Sequence, residues 1–314
     1  MSGADIPFDS IASAVVLPIV RRLEGPGAPG VAAAAYHHLP QCPSTNTFLK
    51  EIAGSSPTGT VAVTDDQTMG RGRLGRTWLG RPGQDLAFSV LLRPALAAER
   101  AHLLALATGV AVAEVLEEEF GLGGQVALKW PNDVLLAGKK VCGILLEGSL
   151  SGDRLSWVVA GIGVNVNGEP GRMVESLPPD LAAEWEGRPE PVSLKEFLGR
   201  AVPRAPLLAA LLVRGARLWS SLDDPEGQAA LLEGWRRRDA LLGRQVEVFA
   251  GADRSEVLVR GEAAGIGPEG QLLVRPGAER AAGHAPAGAS DGAARSGEAR
   301  LAEVFAGDVS VRSI

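Results

Sequence analysis

Residues 70–76 read GRGRLGR, three glycines and three arginines in seven positions. Arginine offers a planar fork of donors that fits carboxylate and phosphate oxygens, and glycine lets the chain carrying it bend close to a ligand. Gly70, Gly72 and Gly75 also spell G-x-G-x-x-G. That spelling serves a dinucleotide only where a strand runs into the first glycine and a helix opens at the last. Residues 65–69 separate the preceding strand-like run from Gly70, and Gly80, Pro82 and Gly83 follow closely, so no helix starts there. The phosphate-loop pattern G-x-x-x-x-G-K-[ST] does not occur. The segment reads instead as a cationic loop, disordered alone and ordered over an anionic ligand whose contacts offset the entropy.

A second signal is the scarcity of lysine. The chain holds 26 arginines and 5 lysines, Lys50, Lys129, Lys139, Lys140 and Lys195, with three of the five between 129 and 140. Where arginine serves as the general surface cation, a retained lysine is a candidate for work that needs a compact point charge. A solvated turn that happens to gather them is the plain alternative.

The bulk properties narrow the classes. A net charge of −6 argues against nucleic acid as a partner, and the one other basic run, WRRRD at 235–239, reads as a solvated helix face. Cys42 and Cys142 stand far apart without a C-x-x-C pattern, which predicts a reducing, cytoplasmic setting and two buried thiols. His37 and His38 lack ligand spacing and read as strand or edge residues. No apolar run approaches the ~18 residues that span a bilayer, and the N-terminal apolar run has its charges in the wrong order for a secretory signal.

The elements that must position these residues follow from periodicity. Strands are expected at 60–64, 86–92, 126–130, 140–148 and 155–167, and helices at 99–120, 193–219 and 227–242. The order predicts an α+β layer. Residues 1–35 read as a flexible leader, 36–242 as the main domain, and 243–314 as a small β-barrel with short strands at 245–249, 256–260, 271–275 and 308–312. The Ala-, Gly-, Pro- and Ser-rich stretch 276–300 reads as a disordered insertion in that barrel.

PSTNTFLKE (43–51), DDQTMGRGRLGRTW (65–78), KWPNDV (129–134), GKKVCGILLEG (138–148), GIGVNVN (161–167) and VFAGDVSVR (304–312) together resemble the biotin protein ligases in order and spacing. The resemblance implies a class II synthetase-like mixed sheet with packed helices, followed by an SH3-like barrel. It implies that biotin's carboxylate attacks the α-phosphate of ATP, with Mg²⁺, to give biotinyl-5′-AMP, and that a lysine of a biotin carboxyl carrier domain then takes the biotinyl group. A carboxylate is already nucleophilic at neutral pH, so the first step needs charge neutralisation and positioning more than a base. No Ser-His-Asp or Cys-His set is apparent.

By the same resemblance Lys140 and Arg73 carry catalysis. Ser44, Thr45, Asn46, Gln67, Gly70, Arg71, Gly72, Arg73, Lys140, Gly143 and Gly163 surround biotin. Arg73, Arg76, Trp78, Lys129, Asn132, Asp133 and Asn165 meet the nucleotide, with Asp133 near the metal. Lys139 is left out, and Trp130 and Pro131 are structural. Regulatory relatives carry an N-terminal DNA-binding domain that 35 flexible residues cannot supply, so a monofunctional ligase, monomer or weak homodimer, is expected. A lipoate or octanoyl ligase of related fold and a non-catalytic biotin-binding regulator remain as alternatives.

Overall fold

The structure, a computed structural model, describes residues 36–182, 185, 187–251, 253–277 and 301–311. The expected leader and all of the expected insertion beyond Gly277 lie outside the described residues. The chain divides into two compact units, one running to Ala240 and the other starting at Leu241, close to the boundary expected at 242/243.

In chain order the first unit contains β1 (Tyr36–Leu39), α1 (Thr45–Ile52), β2 (Val61–Thr64), β3 (Leu86–Leu92), α2 (His102–Phe120), β4 (Val126–Lys129), β5 (Asp133–Leu136), β6 (Lys139–Ser151) and β7 (Arg154–Val164). There follow α3 (Pro170–Glu175), α4 (Pro179–Ala182), α5 (Leu194–Leu198), α6 (Arg204–Ser220) and α7 (Pro225–Arg236). The strands form one seven-stranded sheet, β1-β2-β3-β7-β6-β5-β4. β1 and β2 run parallel and every other neighbouring pair is antiparallel, the mixed sheet of an α+β fold. His37 and His38 sit on the edge strand β1, with His38 Nε2 2.7 Å from Asp65 Oδ2.

Each sheet face has its own cover. α1 lies on one face, where Leu49 and Ala53 pack with Ala62, Leu91 and Val159. α2 lies on the other and is apolar nearly all round because helices cover its far side too. Gly109 of α2 lets Trp235 of α7 close in, since a Cβ there would come 3.2 Å from the indole and 3.8 Å from Ile144 of β6.

Two helix expectations are corrected. The segment 193–219 is α5 and α6, because Gly199 ends α5 in the left-handed region (φ 68°) and Pro203 caps the start of α6. The helix expected at 227–242 begins earlier, at Pro225, where the Asp224 carboxylate accepts from the Gly227 N–H at 2.7 Å, and it ends at Arg236. The residues after it continue the sheet edge: Leu128 donates to the Arg238 carbonyl at 2.6 Å and Ala240 to the Leu128 carbonyl at 2.9 Å. WRRRD is therefore not one solvated face. Arg238 is largely buried, and its Nε donates to Glu117 at 2.9 Å.

The second unit holds β8 (Gln245–Phe249), β9 (Val257–Ile266), β10 (Leu272–Pro276), β11 (Ala302–Val304) and β12 (Asp308–Val311), ordered β11-β10-β9-β8-β12. All its pairings are antiparallel. Val246, Val248, Ala263, Leu272, Val274 and Val309 are buried, as a small SH3-like sheet requires. Among the described residues no helix is long and apolar enough to cross a membrane.

Candidate active site

Residues facing each other across antiparallel strands project to the same side of a sheet, and every second residue along a strand returns to that side. The register therefore builds a row of Thr64, Ala87, Gly163, Gly143, Asp133 and Lys129 across six strands. Beside it runs Ala62, Ser89, Gly161 and Leu145, and beside that Leu91, Val159 and Glu147. This is the α1 side of the sheet. Its middle carries three glycines, so it is a recess.

The recess is a set of close approaches. A Cβ at Gly163 would overlap the Trp78 indole, one at Gly161 would overlap the Asn46 amide, and one at Gly143 would lie 2.8 Å from Trp78 Cζ3 and 3.3 Å from Lys140 Cε. Gly143 and Gly163 were expected here. Gly161 was not, although it precedes Gly163 by two residues on the same strand.

Lys140 reaches this side through a β-bulge. The β5–β6 register slips after Val134, so Leu135 faces Lys140 where an unbroken ladder would give it Val141. The slip turns Lys140 onto the glycine face, and its Nζ lies 2.6 Å from Asp133 Oδ1. Lys139, pointed elsewhere, pairs with exposed Glu190 at 2.9 Å. The Lys140 backbone is clamped: its N–H donates to the Glu190 carbonyl at 2.7 Å, and its carbonyl accepts from Val192 N–H at 2.9 Å. Asn165, buried, donates its amide hydrogens to the carbonyls of Lys140 (3.2 Å) and Val192 (3.3 Å). It is therefore part of the clamp, a role that the sequence did not disclose.

Asp133 is the one carboxylate amid three cations. Burial works to raise its pKa, but the charges of Lys140 and Lys129, the hydrogen bond from Lys140 and the charge of Arg73 outweigh this and hold it below the ordinary carboxylate range. Arg73 Nη1 also donates to Asn132 Oδ1 at 3.4 Å, while Asn132 Nδ2 donates to the Ile144 carbonyl at 2.8 Å. A carboxyl whose folded pKa is depressed stabilises the fold above its unfolded value and loses that contribution as the pH falls through the folded one. Denaturant midpoints followed below about pH 4 should therefore fall less steeply in Asp133→Asn than in the parent protein; equal slopes would contradict this assignment.

Under α1 lies a neutral polar set. Thr45 N–H donates to Gln67 Oε1 at 3.0 Å, Thr45 Oγ1 lies 2.7 Å from Ser89 Oγ, and Ser89 Oγ donates to Asn46 Oδ1 at 2.6 Å. Ser44 is the buried N-cap residue of α1, but its hydroxyl makes no capping bond. Ser89 escaped notice in the sequence, where it is the polar exception in the strand LAFSVLL. So did Asp85, a buried carboxylate that accepts from Val166 N–H (2.8 Å) and Gly168 N–H (3.2 Å) and so fixes the chain leaving β7.

Residues 70–78 form a short hairpin with bonds of its own, where the sequence suggested a loop ordered by ligand alone. Trp78 N–H donates to the Gly70 carbonyl at 2.9 Å and Gly72 N–H to the Arg76 carbonyl at 2.7 Å, with the turn at Leu74 (φ 58°) and Gly75 (φ 76°). A Cβ at Gly70 would lie 2.5 Å from the Trp78 carbonyl oxygen, so the base closes only on glycine. Trp78 brings its indole to Gly143 and Gly163, with Lys140 Nζ 5.7 Å from the ring centroid. Arg71, expected over the biotin carboxylate, is bound to the scaffold: its Nη2 donates to Thr47 Oγ1 at 3.0 Å and to Glu147 Oε2 at 3.1 Å. Cys42 and Cys142 are buried free thiols, and burial pushes the Cys142 thiol far up. Trp130 is fully buried.

With the geometry in place, residues 39–165 match the biotin/lipoate A/B protein ligase family. The chain is 35% identical over 242 residues to the biotin--[acetyl-CoA-carboxylase] ligase of Paracoccus denitrificans, covering 77% of this chain and 95% of that protein. It is 37% identical over 171 residues to the bifunctional ligase/repressor of Bacillus subtilis, covering 54% of this chain and 49% of that protein, about half of the relative's length. The structure is similar to that of the Aquifex aeolicus biotin protein ligase in complex with biotin and ATP, with a TM-score of 0.65, 28% identity, and coverage of 88% of this chain and 98% of that one. The chain belongs to the biotin protein ligase family.

Proposed function

We propose that this chain joins biotin to a specific lysine of a biotin carboxyl carrier domain, in two steps, at the glycine-floored face of its seven-stranded sheet. The observation that carries the reading is the cluster of Lys140, Lys129 and Arg73 around ionised Asp133, beside a recess lined by neutral polar groups. A cyclic urea, with one carbonyl and two N–H groups, suits the neutral set of Thr45, Asn46 and Gln67. A carboxylate meeting a phosphate suits the cations.

In the first step a biotin carboxylate oxygen attacks the α-phosphorus of ATP, the bond to the β-phosphate oxygen breaks, and pyrophosphate leaves. Lys140 and Arg73 neutralise the two anions as they approach and the charge that builds at the phosphorus. Asp133 holds Lys140 in place, and Asn165 with residues 190–192 holds the backbone beneath it. Trp78 offers an indole to adenine, Asn165 keeps its carbonyl oxygen as an acceptor, and Arg76 and Lys129 serve the phosphates. In the second step the uncharged amine of the carrier lysine attacks the acyl carbon, the bond from that carbon to the AMP phosphate oxygen breaks, AMP leaves, and the nitrogen loses a proton to water as the amide forms.

Among the described residues no group of three or more His, Cys, Asp or Glu could hold a metal ion. Magnesium typically takes one or two protein carboxylates and completes its shell with substrate phosphates and water, so Asp133 is the group that would hold it, in exchange for part of its ion pair with Lys140. The ion would add charge neutralisation at the phosphates of ATP.

Incubated with ATP, magnesium, biotin and a carrier domain, the protein is expected to make the carrier heavier by one biotinyl group, read by intact mass. An unmodified carrier would contradict the proposal, and a carrier modified by lipoate in preference to biotin would assign the lipoate branch of the family.

A further inference from the structure

We propose that Glu147 is a positioning residue: it anchors the 70–78 hairpin by holding Arg71, and so presents Arg73 to the site. This rests on the reading of that site as one that forms and retains biotinyl-5′-AMP. Glu147 stands on β6 in the row of Val159 and Leu91, with 22% of its side chain exposed. Lys50 of α1 donates to its Oε1 at 2.5 Å, and Asn46 of α1 donates to its Oε2 at 2.9 Å. Arg71 donates to the same Oε2 at 3.1 Å. One carboxylate thus gathers the sheet, the helix and the hairpin.

The two arginines at the hairpin's start have different partners. Arg71 Nη2 meets α1 and β6, through Thr47 and Glu147, whereas Arg73 reaches Asn132 beside Asp133. Arg71 is thereby the fixed root and Arg73 the working hand. Burial works to raise the Glu147 carboxyl, but hydrogen bonds from Lys50 and Asn46 and the charges of Arg71 and Lys50 prevail, so it stays anionic. With Glu147 neutralised, Arg71 keeps the Thr47 hydroxyl and loses its charged partner, and the hairpin opens more often.

The test uses the full chain with Glu147→Gln, Arg71→Gln and the double variant. Trypsin cleavage after Arg73 and Arg76, read by mass in the protein alone, should quicken about tenfold in either single variant, ~1.4 kcal/mol in hairpin opening, with no further gain in the double. Preformed biotinyl adenylate, chased with excess unlabelled biotin and ATP, should escape faster by a similar factor. Arg71→Gln leaves Lys50, Asn46 and Glu147 joined, so it separates the hairpin from the stability of α1. Parent-like cleavage in both single variants overturns the anchor, as does cleavage that rises equally at arginines elsewhere in the first unit. If even the parent forms no adenylate, the functional reading fails, while the proteolysis still decides the anchor.

Discussion

Lys140→Ala is expected to lower the rate of biotin-dependent pyrophosphate release by a hundredfold to a thousandfold, the scale on which one preorganised charge stabiliser acts. Lys140 is the cation that the β-bulge swings onto the glycine face and that Asp133 holds at 2.6 Å. Removing it leaves Asp133 ionised against Lys129 and Arg73 alone, so an incoming carboxylate meets a site of lower positive charge. The fold should survive, because the clamp on residue 140 is made by backbone groups that alanine keeps. A near-parental rate in a folded Lys140→Ala protein would move the chemistry to another cation. Lys140→Arg should not rescue it, since a planar fork does not reproduce a compact ammonium 5.7 Å from the Trp78 centroid.

The second large effect is expected at the floor. Gly163→Ala adds one methyl group where the Trp78 indole lies, and the ring must leave or the strand must shift. Overpacking at such a point costs about 1–3 kcal/mol, so biotin affinity should fall about five- to 150-fold in a calorimetric titration. Gly54→Ala is the control, since nothing beyond its own chain neighbours lies within 4 Å of the added Cβ. Parental biotin affinity in Gly163→Ala would show that biotin does not use this face.

Much of this could be read without coordinates, and the reasons are local. The strand LAFSVLL is a short, largely apolar run bounded by turn residues, and β3 spans all of it. The scarcity of lysine pointed to a special neighbourhood, and Lys129 and Lys140 indeed flank Asp133. Lys139 shows the limit of that argument: adjacent to Lys140, it faces Glu190. What chooses between the two is the slip after Val134, a pairing fact between strands. Glu147, Ser89 and Gly161 were missed for the same reason. Each gains meaning only on the folded face, which sets Glu147 against Arg71 and Asn46, Ser89 against Thr45 and Asn46, and Gly161 against Asn46. The break at Gly199 and Pro203 was visible in the sequence, but the apolar spacing on either side of it masked the interruption.

The central claim is that one site both makes the adenylate and keeps it. The most direct measurement mixes the protein with ATP, magnesium and biotin, without carrier, and follows pyrophosphate release alongside native mass spectrometry. The account predicts a burst of pyrophosphate that depends on biotin, approaching about one per chain, with biotinyl-5′-AMP retained on the protein. Absence of the burst, or a burst given equally by lipoate, would contradict it.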